Sequence, residues 1–241
     1  MMHTLKHYVL SQQYKPSTIG LMVNPFYHAR RSLYQAIAEV APQLVGRLLD
    51  VGCGQKPYKS LFPASEYVGL EIDTPENREH KQADYYYDGE LFPFTEQCFD
   101  GVICNQVLEH VFAPDRFLGE IKRVLRPGGK LLLTIPFVWD EHEQPWDYAR
   151  YSSFGLKSLL EKNGFEVAEQ HKINADVRVL FQLLNAYLYK VLWTGRPIVN
   201  LLVCAVMMAP FNILGALLYR LLPANPDLYL DQLVLARKVG G

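Results

Sequence analysis

One short stretch of the sequence has the residue types of a binding corner for a small charged molecule. The apolar run Arg47–Val51 leads directly into Gly52-Cys53-Gly54. Glycines after a strand permit a sharp turn and a close approach of the backbone to a ligand. A dinucleotide site would need a third glycine where Pro57 stands, and the Asp50 carboxylate would repel a pyrophosphate. An acid beside the turn suits a ligand with an ammonium and a sulfonium, which favours S-adenosylmethionine over NAD.

A second stretch, Pro136–Tyr151, carries more chemistry than a connection between two elements requires. It mixes aromatic residues, acids, a histidine and an arginine, and it follows an apolar run that ends at Ile135. Ligands of open α/β sheets bind beyond the carboxyl ends of the strands, so we expect this loop to face the reacting group. His142 is the candidate base for a hydroxyl acceptor, because an imidazole titrates near neutrality. The alternative is a loop-stabilising histidine bonded to Asp140 or Asp147.

Other side chains of the same loop are candidates for holding the acceptor. Arg150 could clamp a phosphate or a carboxylate, and it could equally form a structural ion pair with Asp147. The predicted substrate-binding residues are Trp139, Glu143, Asp147, Arg150 and Tyr151. Asp140, His142 and Glu143 all carry ligand atoms, but adjacent loop residues rarely converge on one ion without a supporting helix. We therefore predict no metal site.

The order of apolar segments predicts the elements that position these residues. Strands are predicted at 47–51, 67–73, 99–105, 130–135, 165–168 and 227–238. Helices are predicted from Asn24-Pro25 to Ala41-Pro42, from Pro114 to Arg126-Pro127-Gly128-Gly129, and from Ser153 to Asn163. This alternation is typical of a Rossmann-like, doubly wound, mostly parallel α/β sheet.

The chain resembles class I S-adenosylmethionine-dependent methyltransferases in five motifs that occur in the expected order. The motifs are Leu48–Gly54, Tyr67–Asp73, Asp88–Phe94 followed by Phe99-Asp100, Asn105–Val111, and Arg123–Gly129. The resemblance covers roughly residues 30–173 and the last strand, and it is closest to the UbiE-like, or type 11, branch. The loop around His142 resembles a His-Glu-x-Pro-x-Asp-Tyr-x-Arg-Tyr stretch found in a subset associated with glycan and lipid modification.

The resemblance implies S-adenosylmethionine as the cofactor and gives individual residues their roles. Glu71 would accept hydrogen bonds from the ribose hydroxyls, and Asp88 would meet the adenine amino group. The implied cofactor-binding residues are Asp50, Gly52, Cys53, Gly54, Glu71, Ile72, Asp88, Gly89, Asn105 and Gln106. The glycine loop departs from the family pattern at Gln55-Lys56-Pro57. Glu109 and His110 are expected to pack against the loop as a helix-start pair rather than to act as catalysts.

A strongly apolar segment separates this domain from the last predicted strand. Pro197–Tyr219 has no charged residue, is long enough to span a bilayer, and is flanked by Lys190, Arg196 and Arg220. Both ends must return to the same sheet, so we expect Pro210 to divide it into two short helices that contact a membrane peripherally or as a re-entrant pair. The alternative is a buried lid or dimer face. The predicted domains are 1–173 plus 227–241, and the insertion 174–226.

The composition bears on two questions, which are whether the chain binds nucleic acid and in which compartment it lies. The 24 Lys and Arg residues nearly balance the 25 Asp and Glu residues, so no nucleic-acid partner is implied. The 4 cysteines have no CxxC spacing, which is typical of buried thiols in a reducing compartment. The polar first 15 residues lack the apolar run of a signal peptide. We therefore expect a cytoplasmic location at the inner face of a membrane.

These features predict an O-directed methyltransferase that acts on a small-molecule or lipid-linked acceptor, such as a saccharide or a lipid-linked glycan, at a membrane surface. Two alternatives stay open. One is C-methylation of a quinone-type lipid, as in the UbiE-like branch. The other is a membrane-docked binding module that keeps the fold without turnover.

Overall fold

Residues 12–240 are described by the computed structural model, and their strands form one seven-stranded sheet. The strands are β1 (Gly46–Val51), β2 (Ala64–Ile72), β3 (Tyr85–Tyr87), β4 (Phe99–Asn105), β5 (Leu125–Pro136), β6 (Phe165–Ile173) and β7 (Asp231–Lys238). Their order is β3-β2-β1-β4-β5-β7-β6, and β1 pairs in parallel with both β2 and β4. The β2–β3 and β4–β5 pairs are also parallel. The predicted doubly wound, mostly parallel sheet is confirmed.

The three predicted helices are all present, and one of them ends earlier than expected. The helices are α1 (Gly20–Val23), α2 (Tyr27–Val40), α3 (Pro75–His80), α4 (Pro114–Val124), α5 (Ser153–Lys162), α6 (Arg178–Leu192) and α7 (Pro197–Leu218). Helix α4 ends at Val124, and Leu125 already begins β5, so residues 126–129 belong to the strand. The reason is Pro127, which cannot continue a helix and also biases the residue before it toward extended backbone.

The chain divides into two compact units. The first, here called the sheet unit, contains Ile37–Phe137, Glu141–His171 and residues 232–240. The second, here called the helical unit, contains residues 12–36, Val138–Asp140 and Lys172–Asp231. Residues 12–36 thus cluster with the apolar insertion, whereas the sequence-based division placed them with the methyltransferase domain.

The core of the sheet unit explains why the strand ends are held in place. Alternate residues of the central strands, among them Leu49, Val102 and Leu131, have no exposed surface and pack into one apolar cluster. Helix α4 covers this cluster with the face that contains Leu118 and Ile121. Burial of this apolar face fixes the direction of the strands, and with it the positions of the residues that follow their carboxyl ends.

The apolar segment of the helical unit is continuous, contrary to the expectation that Pro210 divides it. Pro197–Leu218 is helical throughout, with a π-helical turn at Cys204–Met208. A proline ring clashes with the carbonyl four residues earlier, which here belongs to Val206. That residue lies within the π turn, so the wider turn accommodates the proline without ending the helix. Among the described residues, α7 is the one helix long and apolar enough to cross a membrane.

A network of buried polar groups lies in the interior of the helical unit. Asn212 of α7 has no exposed surface, and its Nδ2 donates to the carbonyls of Leu21 and Asn24, at 3.0 Å each. Its Oδ1 accepts a hydrogen bond from Asn185 Nδ2 of α6 at 2.9 Å. His28 Nε2 lies 3.0 Å from the Asn212 carbonyl oxygen. Helix α7 therefore turns Asn212 inward, where its side-chain amide both donates and accepts hydrogen bonds.

Candidate active site

Two buried acids lie at the carboxyl ends of β1 and β2 in the sheet unit. Asp50 is 5% exposed, and its Oδ2 accepts a hydrogen bond from the Tyr67 hydroxyl at 2.7 Å. Glu71 is 8% exposed, and its Oε1 accepts a hydrogen bond from the Gly54 amide at 2.6 Å. The structure thus brings together the predicted residues Asp50, Gly54 and Glu71. Tyr67, which positions Asp50, was missed because its role depends on strand pairing.

The glycine turn after β1 has the backbone that the sequence predicts. Gly52 has a φ of +68°, and a Cβ atom there would lie 2.4 Å from Cγ2 of Val107. The departure from the family pattern is accommodated at Lys56, which itself has a φ of 51°. Lys56 Nζ lies 2.5 Å from Oδ2 of Asp84, so the side chain is anchored by an ion pair at the edge of the turn. Cys53 is a buried thiol, as its apolar surroundings predicted.

The residues predicted to surround the adenine follow β2 and β3. Ile72 pairs with Tyr87 and is 45% exposed, which leaves an apolar surface available to a flat ring. Asp88 follows directly, and its Oδ1 accepts hydrogen bonds from the amides of Glu90 and Leu91 at 2.9 and 3.1 Å. These bonds shape the loop, in which Gly89 has a φ of +89°. Contact between Asp88 and an adenine amino group stays a prediction.

Asn105 ends β4, and Gln106 follows it beside the glycine turn. Thr134 of the neighbouring strand donates its hydroxyl to Asn105 Oδ1 at 2.7 Å, and its carbonyl accepts from the Gln106 amide at 3.0 Å. Gln106 has a φ of 54°, so the chain turns sharply and brings Val107 against Gly52. Both predicted residues are therefore at the carboxyl edge of the sheet, where the fold requires a ligand site.

Burial changes the acid chemistry of this corner. Removal from water raises the pKa of Asp50 to about 7, while the Tyr67 hydroxyl acts in the opposite direction and the nearby Glu71 carboxylate raises it further. The pKa of Glu71 is also raised, chiefly by burial. A cationic ligand would reverse this effect at Asp50, because a positive charge close to a buried carboxyl favours its ionised form. The corner therefore matches a ligand that carries an ammonium group.

The loop after β5 orders His142 through an acid and an arginine. His142 Nδ1 lies 3.2 Å from Oδ2 of Asp147, and its backbone amide donates to the same oxygen at 3.0 Å. Arg150 donates to both oxygens of Asp147, at 2.5 and 2.7 Å. These groups lower the pKa of Asp147 to about 2, against the opposing effect of desolvation. The structure shows the contacts of both structural alternatives from the sequence analysis, which are the Arg150–Asp147 ion pair and the Asp147 contact of His142. The catalytic role of His142 and the acceptor contact of Arg150 stay predictions.

Glu109 and His110 lie next to His142, which the sequence analysis did not predict. The turn that contains them packs against the loop as expected, because the Glu109 carbonyl accepts from the amide of Tyr148 at 2.8 Å. In addition, Oε1 of Glu109 lies 3.9 Å from His110 Nε2 and 4.0 Å from His142 Nε2. The signal was available in principle, since Glu109 follows β4, His142 follows β5, and these strands are neighbours.

The remaining predicted residues of this loop are divided between the helical unit and the sheet unit. Trp139 belongs to the helical unit, where its ring packs 5.8 Å from that of Phe26. Glu143 belongs to the sheet unit, and its Oε2 lies 3.9 Å from His110 Nε2. Tyr151 packs against the apolar core of the sheet unit. Asp140 lies 3.5 Å from Lys190 within the helical unit. Their roles as substrate contacts stay predictions.

A family model described as a methyltransferase domain matches residues 49–133, which include the glycine turn, both buried acids and the Asn105-Gln106 turn. The chain carries a class I S-adenosylmethionine-dependent methyltransferase domain. The cofactor of this methyltransferase domain is accordingly S-adenosylmethionine. The residues described above fit it, because they offer two buried carboxylates and backbone groups, and Lys56 at the edge of the turn is paired with Asp84.

Two proteins of Mycolicibacterium smegmatis are similar to this chain. One, named as an S-adenosylmethionine-dependent methyltransferase, is 30% identical over 161 residues, which is 61% of this chain and 61% of the relative. The other, a fatty-acid O-methyltransferase, is 34% identical over 114 residues, or 42% of this chain and 41% of the relative. The matches thus span less than two thirds of the length of either relative.

The fold is also shared with the [4+2]-cyclase SpnF. The two structures superpose with a TM-score of 0.58 at 22% sequence identity, over 89% of this chain and 84% of SpnF. An enzyme named for ring formation therefore has the same fold as this methyltransferase domain. The fold by itself does not assign a reaction, so the acceptor must be argued from the residues around the site.

The raised pKa of Asp50 predicts that cofactor affinity depends on pH. The folded, empty protein holds a proton on Asp50 below pH 7, and the cofactor ammonium favours the ionised form. Binding must then release that proton, so affinity should fall about tenfold between pH 8 and pH 6. Calorimetric titration with S-adenosylmethionine at several pH values measures this slope. Asp50→Asn should bind more weakly and with no such slope, whereas an unchanged slope in Asp50→Asn would assign the proton to another group.

Proposed function

We propose that this chain O-methylates a saccharide, a lipid-linked glycan or a similar small acceptor at the cytoplasmic face of a membrane. The observation that carries the proposal is the His142–Asp147–Arg150 arrangement in the loop after β5. An oxygen nucleophile must lose a proton during methyl transfer, and this loop supplies an oriented imidazole at the edge of the sheet where the acceptor is expected.

The chemistry of the loop follows from which nitrogen of His142 carries hydrogen. Asp147 is ionised at neutral pH and can only accept, so it favours the tautomer with hydrogen on Nδ1. The Nε2 atom of that tautomer has the lone pair that can remove the hydroxyl proton. Methyl transfer is an in-line displacement at carbon, so the larger contribution of the protein is to hold the oxygen and the methyl group in line. When bound, S-adenosylmethionine supplies the methyl group as an activated sulfonium.

Exposed aromatic rings beside His142 support an acceptor with apolar or sugar faces. Phe112 is 82% exposed, and its ring stacks edge-on against Tyr148 at 5.3 Å between centroids. Trp146, also exposed, follows in the same loop, and its carbonyl oxygen lies 2.9 Å from His110 Nδ1. Exposed aromatic rings of this kind commonly pack against the apolar faces of a bound ligand, such as a sugar or a lipid. The relative named as a fatty-acid O-methyltransferase also supports an oxygen acceptor on a lipid-like molecule.

The membrane part of the proposal depends on the polarity of α7. Apart from Met208, its buried positions are small or polar: Asn200, Cys204, Ala209, Asn212 and Gly215. Its exposed positions are large and aliphatic: Ile198, Leu201, Leu202, Val206, Ile213, Leu214 and Leu217. A helix of a water-soluble protein has the opposite arrangement. An apolar face turned outward, with Lys190, Arg196 and Arg220 near its ends, fits a helix that lies in or dips into the bilayer interface.

Transfer of labelled methyl groups to fractionated membrane lipids and soluble glycans tests the reaction. We expect His142→Ala to lower the transfer rate by about a hundredfold or more, as for the loss of a general base, while the cofactor affinity is unchanged. The matched control is His171→Ala, because His171 pairs with Glu169 at 3.1 Å on an exposed strand. Mass spectrometry identifies the methylated atom. Label on a quinone carbon, or an unaltered rate in His142→Ala, would contradict the O-directed reaction with His142 as base.

Flotation with vesicles of phosphatidylethanolamine and phosphatidylglycerol tests the membrane contact. The intact chain should rise with the vesicles, and the variant Leu201→Glu/Val206→Glu/Leu217→Glu should remain in the dense fraction, because charged groups cannot enter the acyl region at low cost. Leu91→Glu is the control, since Leu91 is 62% exposed but lies in the sheet unit. An intact chain that stays soluble and monodisperse without detergent, and does not float, would refute the contact.

A further inference from the structure

We propose that Glu109, His110 and His142, here called the Glu-His-His cluster, form a binding site for a divalent transition-metal ion. One ligand atom from each residue lies within 4.8 Å of the other two. All three residues belong to the sheet unit. This proposal departs from the sequence-based expectation of no metal, which considered only neighbours of His142 in its own loop. The convergence comes from two different strand ends, β4 and β5.

The hydrogen positions of both imidazoles favour metal binding at Nε2. His110 Nδ1 lies 2.9 Å from the carbonyl oxygen of Trp146, and His142 Nδ1 lies 3.2 Å from the Asp147 carboxylate. The Trp146 carbonyl can only accept, so His110 Nδ1 carries a hydrogen. At His142 Nδ1 the Asp147 carboxylate at 3.2 Å is nearer than Arg150 Nη2 at 3.5 Å, and it favours the same tautomer. The Nε2 atoms of the neutral rings therefore present lone pairs, and both lie on the side of the Glu109 carboxylate. Imidazoles that bind metal ions are oriented by hydrogen bonds of this kind.

The distances in the cluster are those of ligands around an ion rather than of hydrogen-bonded partners. Oε1 of Glu109 lies 3.9 Å from His110 Nε2 and 4.0 Å from His142 Nε2. A hydrogen bond needs about 2.7–3.2 Å between such atoms. Two ligands at about 2.1 Å from a tetrahedral ion are about 3.4 Å apart, so each glutamate–imidazole distance must shorten by roughly half an ångström when an ion binds. All three ligand atoms already lie within 4.8 Å of one another.

Burial and donor type indicate the kind of ion. The Glu109 side chain has no exposed surface, so its negative charge is stabilised if a cation sits beside it. The side chains of His110 and His142 are 17% and 28% exposed, which leaves a route for solvent or an acceptor. Two nitrogens and one carboxylate suit Zn²⁺, Fe²⁺, Mn²⁺ or Co²⁺ better than Mg²⁺ or Ca²⁺. Three protein ligands also leave a coordination position open, as in catalytic rather than structural sites.

This inference goes beyond the proposed methyl transfer and can fail separately from it. With an ion bound, His142 Nε2 is a ligand, and the ion lowers the pKa of a hydroxyl that coordinates at the open position. The proton of that hydroxyl then leaves to solvent instead of to the imidazole. Loss of activity in His142→Ala is expected in either case, so the rate of methyl transfer does not test the site.

The test is a titration of the full chain, stripped of metal with a chelator, with Co²⁺ in the absence of cofactor and acceptor. We expect one equivalent to bind, with a visible absorption band, and Zn²⁺ to remove the band. Glu109→Gln and His142→Gln should each weaken Co²⁺ binding by more than tenfold, and Asp147→Asn by about tenfold to a hundredfold. His171→Gln, the exposed histidine paired with Glu169, is the matched control and should bind like the unmodified chain.

Thermal unfolding without metal checks that each variant is folded. Because Glu109 is buried, His110→Gln and His142→Gln at partly exposed positions provide the decisive comparison if Glu109→Gln does not fold. The absence of the band in the unmodified chain, or equal affinity in the unmodified chain and His142→Gln, would overturn the site. A chain that binds Co²⁺ but no S-adenosylmethionine would refute the methyltransferase function and leave the metal site standing.

Discussion

The candidate cofactor site depends on two carboxyl groups that the sheet holds out of water. Asp50 and Glu71 end adjacent parallel strands and are almost entirely buried, which opposes their ionisation. The protein offsets this cost with the Tyr67 hydroxyl and the Gly54 amide. A positively charged ligand completes the compensation. The glycine turn packs closely against Val107, and Lys56 is anchored to Asp84 at the edge of this turn.

The same geometric rule gathers the reacting groups on the neighbouring strands. β4 and β5 are adjacent and parallel, so the turn after β4 and the loop after β5 meet at one edge. That meeting brings the Glu109 carboxylate and two imidazoles to distances near 4 Å. Strand order therefore brings together the residues on which both the proposed methyl transfer and the proposed metal site depend. Asp147 and Arg150 of the loop after β5 hold His142 in one orientation.

Much of the sheet unit could be predicted from the sequence, and the reasons are local. The apolar run before Gly52 and the glycines themselves act through their own backbone, so the strand and the turn that follows it could be predicted from nearby residues. Tyr67 beside Asp50, and Glu109 beside His142, depend on which strands pair, which one sequence does not reveal. The π turn before Pro210 is likewise a tertiary outcome, because packing of α7 against buried polar groups keeps the helix continuous.

Calorimetric titration of the purified chain with S-adenosylhomocysteine at pH 8, where Asp50 is ionised, tests the central claim most directly. The account predicts one bound equivalent and no binding of NAD. It also predicts that Gly52→Ala weakens binding by about tenfold or more, since the new Cβ would meet Val107 at a strained φ, whereas Gly54→Ala, with open space around it, has the smaller effect. No heat of binding with S-adenosylhomocysteine or S-adenosylmethionine, while NAD binds readily, would contradict it.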